Sequence, residues 1–182
     1  SVRAPVLINA AGAWANEVAL MAGQQPLPLT PARRTAAVVK VPGGAPDWPM
    51  LRTFNQQLYI KPEQPGLLVS PQDETPSAAA DAYPEELDLA VAIERFEKLC
   101  EFSVSRIHRS WAGLRTLTPD RCPILGFANT EENFFWIAGQ GGAGIQTAPA
   151  IGRMIADILI EGSNVDARLH PRRFERQRLA DV

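Results

Sequence analysis

Two parts of the sequence carry residue types that bind a small anionic molecule. The first is the segment 139–144, GQGGAG, which separates an apolar run at 134–138 from a helical pattern reaching Gly162. A strand, a glycine-rich turn and a helix N-terminus in this order let backbone N–H groups approach a ligand, and the helix dipole favours negative charge there. The second is Arg115, in the segment WAGLR. We predict that both parts face one bound molecule.

The setting of Arg115 predicts that its guanidinium is at least half-buried. It follows the apolar segment 111–114 directly. A guanidinium removed from water requires an anionic partner. The nearest acid in the sequence, Asp120, is one candidate partner, and a ligand carboxylate held by two parallel hydrogen bonds is the other. The sequence alone leaves both partners open.

The glycine-rich segment also contains the G-x-G-x-x-G pattern, at Gly139, Gly141 and Gly144. In dinucleotide-binding folds an acid follows about 20 residues later, at the end of a second parallel strand. Here the acid at that spacing, Glu161, ends the helical pattern itself, and residues 162–173 contain no apolar run typical of a buried strand. A loop that holds another part of a cofactor therefore fits better. A loop that only lets strand and helix pack closely is the alternative.

Composition excludes several classes of function. The 182 residues carry a net charge of −2, so nothing indicates binding to nucleic acid or to an anionic membrane. No apolar run approaches the roughly 20 residues of a membrane span. Cys100 and Cys122 have no metal-ligand spacing with His108 or His170, so we predict no metal site. Two weakly placed cysteines also fit a reducing compartment, which predicts a cytoplasmic protein.

The beginning of the chain reads as one repeat of an α/β fold. Residues 6–10 form a continuous apolar run, typical of a strand buried on both faces, and residues 13–22 follow a helical pattern. Because a strand of this type needs neighbours, we expect the chain to open in the middle of a larger fold. The proline-rich segment 24–31 predicts a linker to a second unit.

The middle of the chain is predicted to be mostly antiparallel β-structure. Strands are expected at 35–41, 58–61 and 66–70, and the last two form a hairpin around the turn PEQPG. A polar, flexible segment follows. Residues 84–102 then show the apolar spacing of a helix, with Pro84 suited to its first turn. The basic tail beyond residue 162 predicts a solvated helix or a frayed end.

Six motifs together resemble the D-amino-acid oxidase family of flavoenzymes, which also holds glycine oxidase and sarcosine oxidase. They are NAAGAW from Asn9, PARR ending at Arg34, DWPM from Asp47, YIKP from Tyr59, WAGLR ending at Arg115, and FFWIAGQGGAGIQ from Phe134. They follow the family's order over almost the whole chain. Within the family, the likeness is greatest to bacterial D-arginine dehydrogenases.

The resemblance implies an FAD-binding α/β domain with an antiparallel substrate domain inserted into it. Residues 1–24 and 105–182 would then belong to the FAD domain, and residues 25–104 to the substrate domain. The family's N-terminal G-x-G-x-x-G, which holds the FAD pyrophosphate, has no counterpart before Asn9. The resemblance therefore implies a C-terminal part of the enzyme without its N-terminal half, which by itself binds FAD weakly or not at all and is inactive.

The resemblance also implies a substrate and site residues. The substrate would be an amino acid, either a D-amino acid or a glycine-like amine, and its Cα–H would pass as hydride to flavin N5. Arg115 and Tyr59 would hold the carboxylate, Gln146 would also be catalytic, and Met50, Arg52 and Gly113 would line the substrate pocket. Cofactor contacts would come from Ala11, Gly12, Trp14, Gly113, Gly141, Gly142, Ala143, Gly144, Ile145 and Gln146. The resemblance implies an apolar residue at position 52. The arginine that occupies this position instead argues against a cationic substrate side chain. The resemblance covers both oxidases and dehydrogenases.

Two other functions have structural requirements of their own. A self-contained nucleotide-binding module requires a parallel strand after Gly162. A non-catalytic scaffold that keeps only the fold requires Arg115 to be paired with a protein acid such as Asp120, and no open cleft beside Tyr59.

Overall fold

The chain folds into two compact units, one of which is inserted into the other along the sequence. The computed structural model describes residues 3–43, 47–101, 103–128 and 133–174. Unit 1 combines Ser1–Pro31 with Arg115–Val182, and unit 2 is the continuous segment Ala32–Leu114. The expected mixed α/β architecture, with antiparallel sheet in the inserted unit, is confirmed.

The described residues contain nine strands and three α-helices. The strands are β1 (Leu7–Asn9), β2 (Thr30–Lys40), β3 (Leu51–Arg52), β4 (Tyr59–Glu63), β5 (Gly66–Ser70), β6 (Thr75–Pro76), β7 (Arg106–Leu117), β8 (Ile124–Phe127) and β9 (Phe134–Ala138). The helices are α1 (Ala15–Met21), α2 (Glu86–Cys100) and α3 (Gly144–Glu161), with short 3-10 helices at Gly12–Trp14 and Pro171–Phe174. Within the described ranges, no helix has both the length and the apolar character that a membrane crossing requires.

Unit 1 is built on a three-stranded sheet in the order β1-β9-β8. β1 runs parallel to β9, with Leu7 opposite Phe134 and Asn9 opposite Trp136, and β8 is antiparallel to β9. The apolar run of β9 supplies the large side chains of the core, which contains Ala15, Ala19, Ile124, Phe134, Trp136, Ala138 and Phe174. Because β1 and β9 are parallel, the turns that follow them leave the same edge of the sheet.

The first strand is less buried than its apolar run predicts. Leu7 and Ile8 are each 46% exposed, and Asn9 is the one buried residue of β1. The reason is that β1 is an edge strand, so in the described part of the chain β9 is its only neighbour. The following helix buries its small residues rather than its large apolar ones. Ala15 and Ala19 are buried, whereas Met21 is 88% exposed.

Unit 2 is a twisted antiparallel sheet covered by one helix. Its strand order is β3-β4-β5-β2-β6, with β7 also paired to β2. The expected hairpin is confirmed, since β4 and β5 pair down to Glu63 opposite Gly66. The expected helix is also confirmed as α2, which packs Ala92 and Phe96 into the core. The other core residues are Ala37, Val39, Val41, Leu58, Ile60, Leu67 and Val69.

The predictions for the linker, the polar segment and the tail need correction. β2 begins at Thr30, so the end of the expected linker is already strand. The segment expected to be polar and flexible contributes β6, which pairs with β2 through Thr75 and Pro76. The tail at 171–174 is neither solvated helix nor frayed end, because Phe174 is 4% exposed and packs in the core of unit 1. Phe102 and residues 175–182, included in those predictions, lie outside the described residues.

Candidate functional site

The first turn at the carboxyl edge of the unit 1 sheet is fixed by Asn9. This side chain is 1% exposed, its Nδ2 donates to the Ala15 carbonyl at 2.8 Å, and its Oδ1 accepts the Ala11 N–H at 3.3 Å. The turn therefore keeps one shape between β1 and the short helix at Gly12–Trp14. Asn9 is not among the site residues predicted from the sequence, although a polar residue ending an apolar run is a signal for such a role.

The first turn carries three of the predicted cofactor contacts. Gly12 has a φ of +57°, which favours glycine, and no described atom lies within 4 Å of the position of a Cβ there. Ala11 precedes it as the N-cap, and Trp14 is 40% exposed. Exposed space beside a rigid backbone is what a planar ligand needs in order to approach closely.

The second turn, between β9 and α3, packs against β7 at positions that only glycine satisfies. Gly139 has a φ of +70°, and a Cβ there would lie 2.6 Å from Cγ2 of Thr118. Gly141 has a φ of +54°, and its N–H donates to the Thr116 carbonyl at 3.0 Å. The backbone of β7 and the glycine-rich turn are thus locked together within unit 1.

Arg115 extends along this turn. Its Nη1 lies 2.6 Å and its Cζ 3.0 Å from the position that a Cβ on Gly142 would take. The guanidinium therefore occupies space that is free only because residue 142 has no side chain. Arg115 and the glycine-rich turn, which the sequence predicted to face one molecule, are in contact.

The protein acid that was considered as a partner for Arg115 is engaged elsewhere. Asp120 accepts hydrogen bonds from Arg173, at 2.6 Å from Nε and 3.2 Å from Nη2, and from the Cys122 N–H at 3.1 Å. The Arg173 hydrogen bond holds the pKa of the Asp120 carboxyl below its usual value, against the opposing effect of partial burial. The sequence pattern did not identify Arg173 as the partner of Asp120.

The hydrogen-bond donors of the Arg115 guanidinium have no partner among the described residues. Its side chain is half-buried, and it forms no hydrogen bond or ion pair with any residue that the structure describes. The alternative in which Asp120 neutralises Arg115 is therefore wrong. A non-catalytic scaffold requires a protein acid paired with Arg115, and no described acid meets this requirement. A half-buried guanidinium without a protein anion is suited to bind a carboxylate by two parallel hydrogen bonds.

The N-terminal turn of α3 adds to the positive potential beside Arg115. The first helical hydrogen bond joins the Thr147 N–H to the Ala143 carbonyl, so the N–H groups of residues 144–146 precede it. The first turn carries no acidic side chain, Ile145 is 96% exposed and Gln146 is exposed. A reduced flavin ring, which carries negative charge near N1 and C2=O, fits this donor set. The residues thus fit the pyrimidine end of FAD.

The dinucleotide alternative lacks its second strand. α3 ends at Glu161, and Gly162 caps it in the left-handed conformation with a φ of +67°. No strand occurs at 163–174, the described residues that follow. The acid therefore stands at a helix end, as expected, and the described chain does not form the βαβ unit that a self-contained nucleotide module requires.

The remaining predicted substrate contacts lie in unit 2. Arg52 and Tyr59 are directly opposite each other on β3 and β4, and Met50, just before β3, is 60% exposed. The Tyr59 ring packs against Ala36, Val38 and Leu68, while its hydroxyl makes no hydrogen bond to a described residue. Arg52 is exposed and donates from Nη2 to Oε1 of Gln56 at 3.0 Å.

Gly113 lies on β7, two residues before Arg115. It is exposed, and no described atom lies within 4 Å of the position of a Cβ there. The structure thus collects Met50, Arg52 and Tyr59 on one hairpin of unit 2. In unit 1 it brings Arg115 against the turn after β9, and the turn after β1 leaves the same edge of the sheet.

The cysteines carry no site of their own. Cys100 and Cys122 are both free thiols, and burial raises the pKa of Cys100. In the described parts of the chain, no three side chains of His, Cys, Asp or Glu come together to hold a metal ion. The chemistry of the candidate site therefore has to come from the groups described above and from what they bind.

Several curated proteins and solved structures are similar to this chain in sequence or in fold. The chain is 29% identical over 182 residues to the bifunctional protein ThiO/ThiG of Trichormus variabilis, covering 97% of this chain and 26% of that protein. It is 27% identical over 186 residues to mitochondrial dimethylglycine dehydrogenase of Mus musculus, covering 89% and 21%. Among solved structures, L-proline dehydrogenase from P. horikoshii matches with a TM-score of 0.78 and 27% identity over 94% of this chain and 47% of that one.

The chain thus spans about a quarter of these curated relatives and about half of the solved dehydrogenase. The sequence profile of the family described as FAD dependent oxidoreductase (DAO) matches residues 1–158. That match covers the first segment of unit 1, its second segment as far as residue 158, and all of unit 2, including every site residue predicted from the sequence. The chain belongs to the DAO family of FAD-dependent oxidoreductases.

Proposed function

We propose that this chain forms the substrate-carboxylate and flavin-ring side of an FAD-dependent amino-acid or amine oxidoreductase. The observation that carries the proposal is the contact between Arg115 and Gly142, which places a guanidinium with no acidic partner among the described residues beside the N-terminal turn of α3. Two sources of positive charge at one place suit two neighbouring negative groups. One is the ring of the cofactor and the other is the carboxylate of the substrate.

FAD, when bound, would accept the hydride from the substrate Cα. The residues that would hold its ring are Ala11, Gly12, Trp14 and Gly113, together with the turn and helix start from Gly141 to Gln146. The N–H groups of residues 144–146, which precede the first helical hydrogen bond of α3, would stabilise negative charge on the pyrimidine end of the ring, because these donors are fixed before the charge forms. Gln146 would add a side-chain donor at the same end.

The substrate carboxylate would be held by Arg115 with the hydroxyl of Tyr59. Both groups have free hydrogen-bonding capacity among the described residues, and both are held in place through their surroundings. Gly142 leaves room for the guanidinium, and the apolar cluster of unit 2 packs the tyrosine ring. Fixing the carboxylate orients the Cα–H of the substrate, which is how positioning lowers the barrier for hydride transfer. Met50 and Arg52 would contact the rest of the substrate.

The substrate class is a small amine that carries a carboxylate, such as a D-amino acid or glycine. The names of two relatives support this class, because proline and dimethylglycine are both carboxylated amines. Arg52 would repel a cationic side chain, so neutral or acidic side chains fit better than basic ones. The greater likeness to D-arginine dehydrogenases stays a prediction.

We further propose that residues outside these 182 supply the nucleotide end of the FAD site. Two observations support this: the chain spans about half of the solved dehydrogenase, and β1 is an edge strand with Leu7 and Ile8 each 46% exposed. A parallel strand with both apolar residues in solvent is unusual, because parallel sheets are covered on both faces. By itself the chain would then bind FAD weakly and be inactive, and the complete enzyme would work in the cytoplasm.

The test is an anaerobic titration of the protein expressed from its whole reading frame. We expect a flavin absorbance spectrum after purification and bleaching of that spectrum on addition of D-alanine, glycine or sarcosine. Propylamine, which lacks the carboxylate, is the matched control and should bleach the flavin far more slowly. A colourless protein that takes up no FAD would overturn the proposal. If propylamine bleached the flavin as fast as the carboxylated amines do, the proposed role of Arg115 would be wrong.

A further inference from the structure

We propose that unit 2 contains a second binding site, for a small monocarboxylate with a short apolar substituent. The site is a cavity of about 280 Å³ between the turn that joins β3 to β4 and the last turns of α2. Its lining residues are Thr53, Asn55, Gln57, Leu58, Arg95, Lys98 and Leu99. None of them belongs to the proposed flavin and substrate contacts, so the inference is independent of the proposed function.

Arg95 is the group that would recognise the carboxylate. Its Nη1 donates to two backbone carbonyls, to Gln57 at 2.8 Å and to Pro71 at 3.1 Å. These bonds fix the guanidinium in the wall of the cavity. Its Nη2 and Nε form no hydrogen bond with any described residue, so two donors of a held, planar group remain for a ligand. An arginine fixed in this way loses little further entropy when it binds a carboxylate.

The charges around the cavity favour an anion. Lys98 adds a second cation one turn of helix from Arg95, and no acidic side chain is among the seven lining residues. Lys98 also forms an exposed ion pair with Glu94, at 2.6 Å, which opposes part of this positive charge. That pair is weak because both side chains are largely in solvent. Asn55 and Gln57 add uncharged amides to the lining, and Nδ2 of Asn55 donates to Oε1 of Gln57 at 3.2 Å.

The remaining wall is apolar and sets the kind of anion. Leu58 is 1% exposed and Leu99 is 47% exposed, so the floor of the cavity is a leucine side chain and its rim is another. A hydrocarbon group of a few carbons would remove the exposed part of Leu99 from water. The volume is slightly below the usual range for small-molecule pockets, which begins at about 300 Å³. A five-carbon branched acid such as isovalerate fits this combination, whereas a bulky or purely inorganic anion does not.

The experiment measures saturation transfer from the protein to the methyl protons of isovalerate by ligand-observed NMR. It uses the protein from its whole reading frame with Arg115→Ala, since Arg115 is itself proposed to bind carboxylates. We expect saturation transfer in this background, and displacement of isovalerate by unlabelled isobutyrate. Isovaleramide, the neutral counterpart, should bind about tenfold more weakly because it loses the charge-assisted hydrogen bonds.

Leu99→Asp is the principal test variant. Its new carboxylate would stand one helical turn after Arg95 and occupy the free donors, so saturation transfer should fall at least about tenfold. Arg95→Gln should have the same effect, although it also removes the bonds to the two carbonyls, so circular dichroism must show that it remains folded. Lys40→Gln, which removes an exposed cation of unit 2 outside the cavity, is the matched control and should leave the signal unchanged.

Four results would overturn the proposal. One is the absence of saturation transfer in the Arg115→Ala protein. The second is equal saturation transfer with and without Leu99→Asp. The third is binding of isovaleramide as strong as that of isovalerate, since the free donors of Arg95 would then play no part. If inorganic phosphate displaces isovalerate at equal concentration, the site selects charge alone and the assignment to a monocarboxylate is wrong.

Discussion

The guanidinium of Arg115 lies where a side chain on Gly142 would be, with Nη1 2.6 Å from the position of the missing Cβ. Unlike its neighbours Gly139 and Gly141, this glycine does not have a positive φ, so an alanine fits its backbone. The atoms that an alanine side chain would meet belong to the far end of a flexible side chain. The position of the arginine can therefore be changed without straining the turn.

Replacing Gly142 with alanine should separate binding from stability. We expect Gly142→Ala to push the guanidinium aside and to lower kcat/KM for carboxylated substrates by about tenfold to hundredfold, as small misplacements of a positioning group do. The free energy of unfolding should change by less than about 1 kcal/mol, because only a side-chain end has to move. The measurements are steady-state kinetics and urea denaturation of the protein from its whole reading frame.

Gly152→Ala is the control for this substitution. Gly152 lies inside α3 with no described atom within 4 Å of the position of a Cβ, so alanine should leave kinetics unchanged and stabilise the helix by about 0.5–1 kcal/mol. If Gly142→Ala leaves kcat/KM unchanged, the contact with Arg115 has no functional meaning.

Removing the guanidinium should cost more than displacing it. We expect Arg115→Ala to lower kcat/KM by an amount equivalent to about 2–5 kcal/mol, because the substrate carboxylate would lose its buried partner. The loss should be much smaller for an amine without a carboxylate. Arg168→Ala serves as the control, since that arginine of the same unit is 84% exposed and pairs with Asp166. Equal kcat/KM for wild type and Arg115→Ala would remove Arg115 from the site.

Arg115 and the glycine-rich turn could each be identified as candidate site elements because their signals are local in sequence. Glycines that end an apolar run, a helical pattern after them and an arginine after an apolar segment all have short-range physical causes. The same is true of the β4–β5 hairpin and of α2, whose turn residues and apolar spacing lie within a few residues of each other. These parts of the fold were predicted correctly.

The features that escaped prediction depend on residues far apart in the chain. The ion pair between Asp120 and Arg173 joins positions separated by 53 residues, and neither side chain is unusual in its own segment. Phe174 enters the core of unit 1 from a tail whose basic composition indicated a solvated end. The exposure of Leu7 has the same origin, because an apolar run indicates a buried strand but does not say whether neighbours are present on both sides.

Gly139 should be the glycine on which the turn depends for stability. Gly139→Ala combines a positive φ of +70° with a contact of 2.6 Å to Cγ2 of Thr118, a stiff side chain that is 3% exposed. We expect a loss of about 1–3 kcal/mol in the free energy of unfolding. Thr118→Ser removes that methyl group and keeps the hydroxyl that donates to the Cys122 carbonyl at 2.8 Å. In the double variant the clash is gone and the strained φ remains, so part of the loss should be recovered. No recovery would show that backbone strain alone sets the cost.

The ion pair between Asp120 and Arg173 predicts how stability depends on pH. The hydrogen bond from Arg173 lowers the folded-state pKa of Asp120 below its ordinary value of 3.8, an effect that partial burial opposes and that the Cys122 N–H reinforces. A lowered folded-state pKa means that the native state favours the carboxylate. The resulting stability is therefore fully present above pH 3.8 and is lost as pH falls through the folded-state pKa.

Asp120→Asn should remove this dependence while keeping an oxygen that accepts the Cys122 N–H. At pH 7 we expect the variant to be less stable than wild type by up to about 1 kcal/mol, since the aspartate side chain is 37% exposed and the attraction is screened. As the pH is lowered below 3.8, wild type should lose stability faster than the variant, so the two free energies of unfolding approach each other. Urea denaturation between pH 7 and pH 2.5 measures both curves. Because the carboxylate is the only group changed, curves that stay parallel over this range would mean that its protonation is not coupled to folding, and that the pair with Arg173 does not hold the tail against the core.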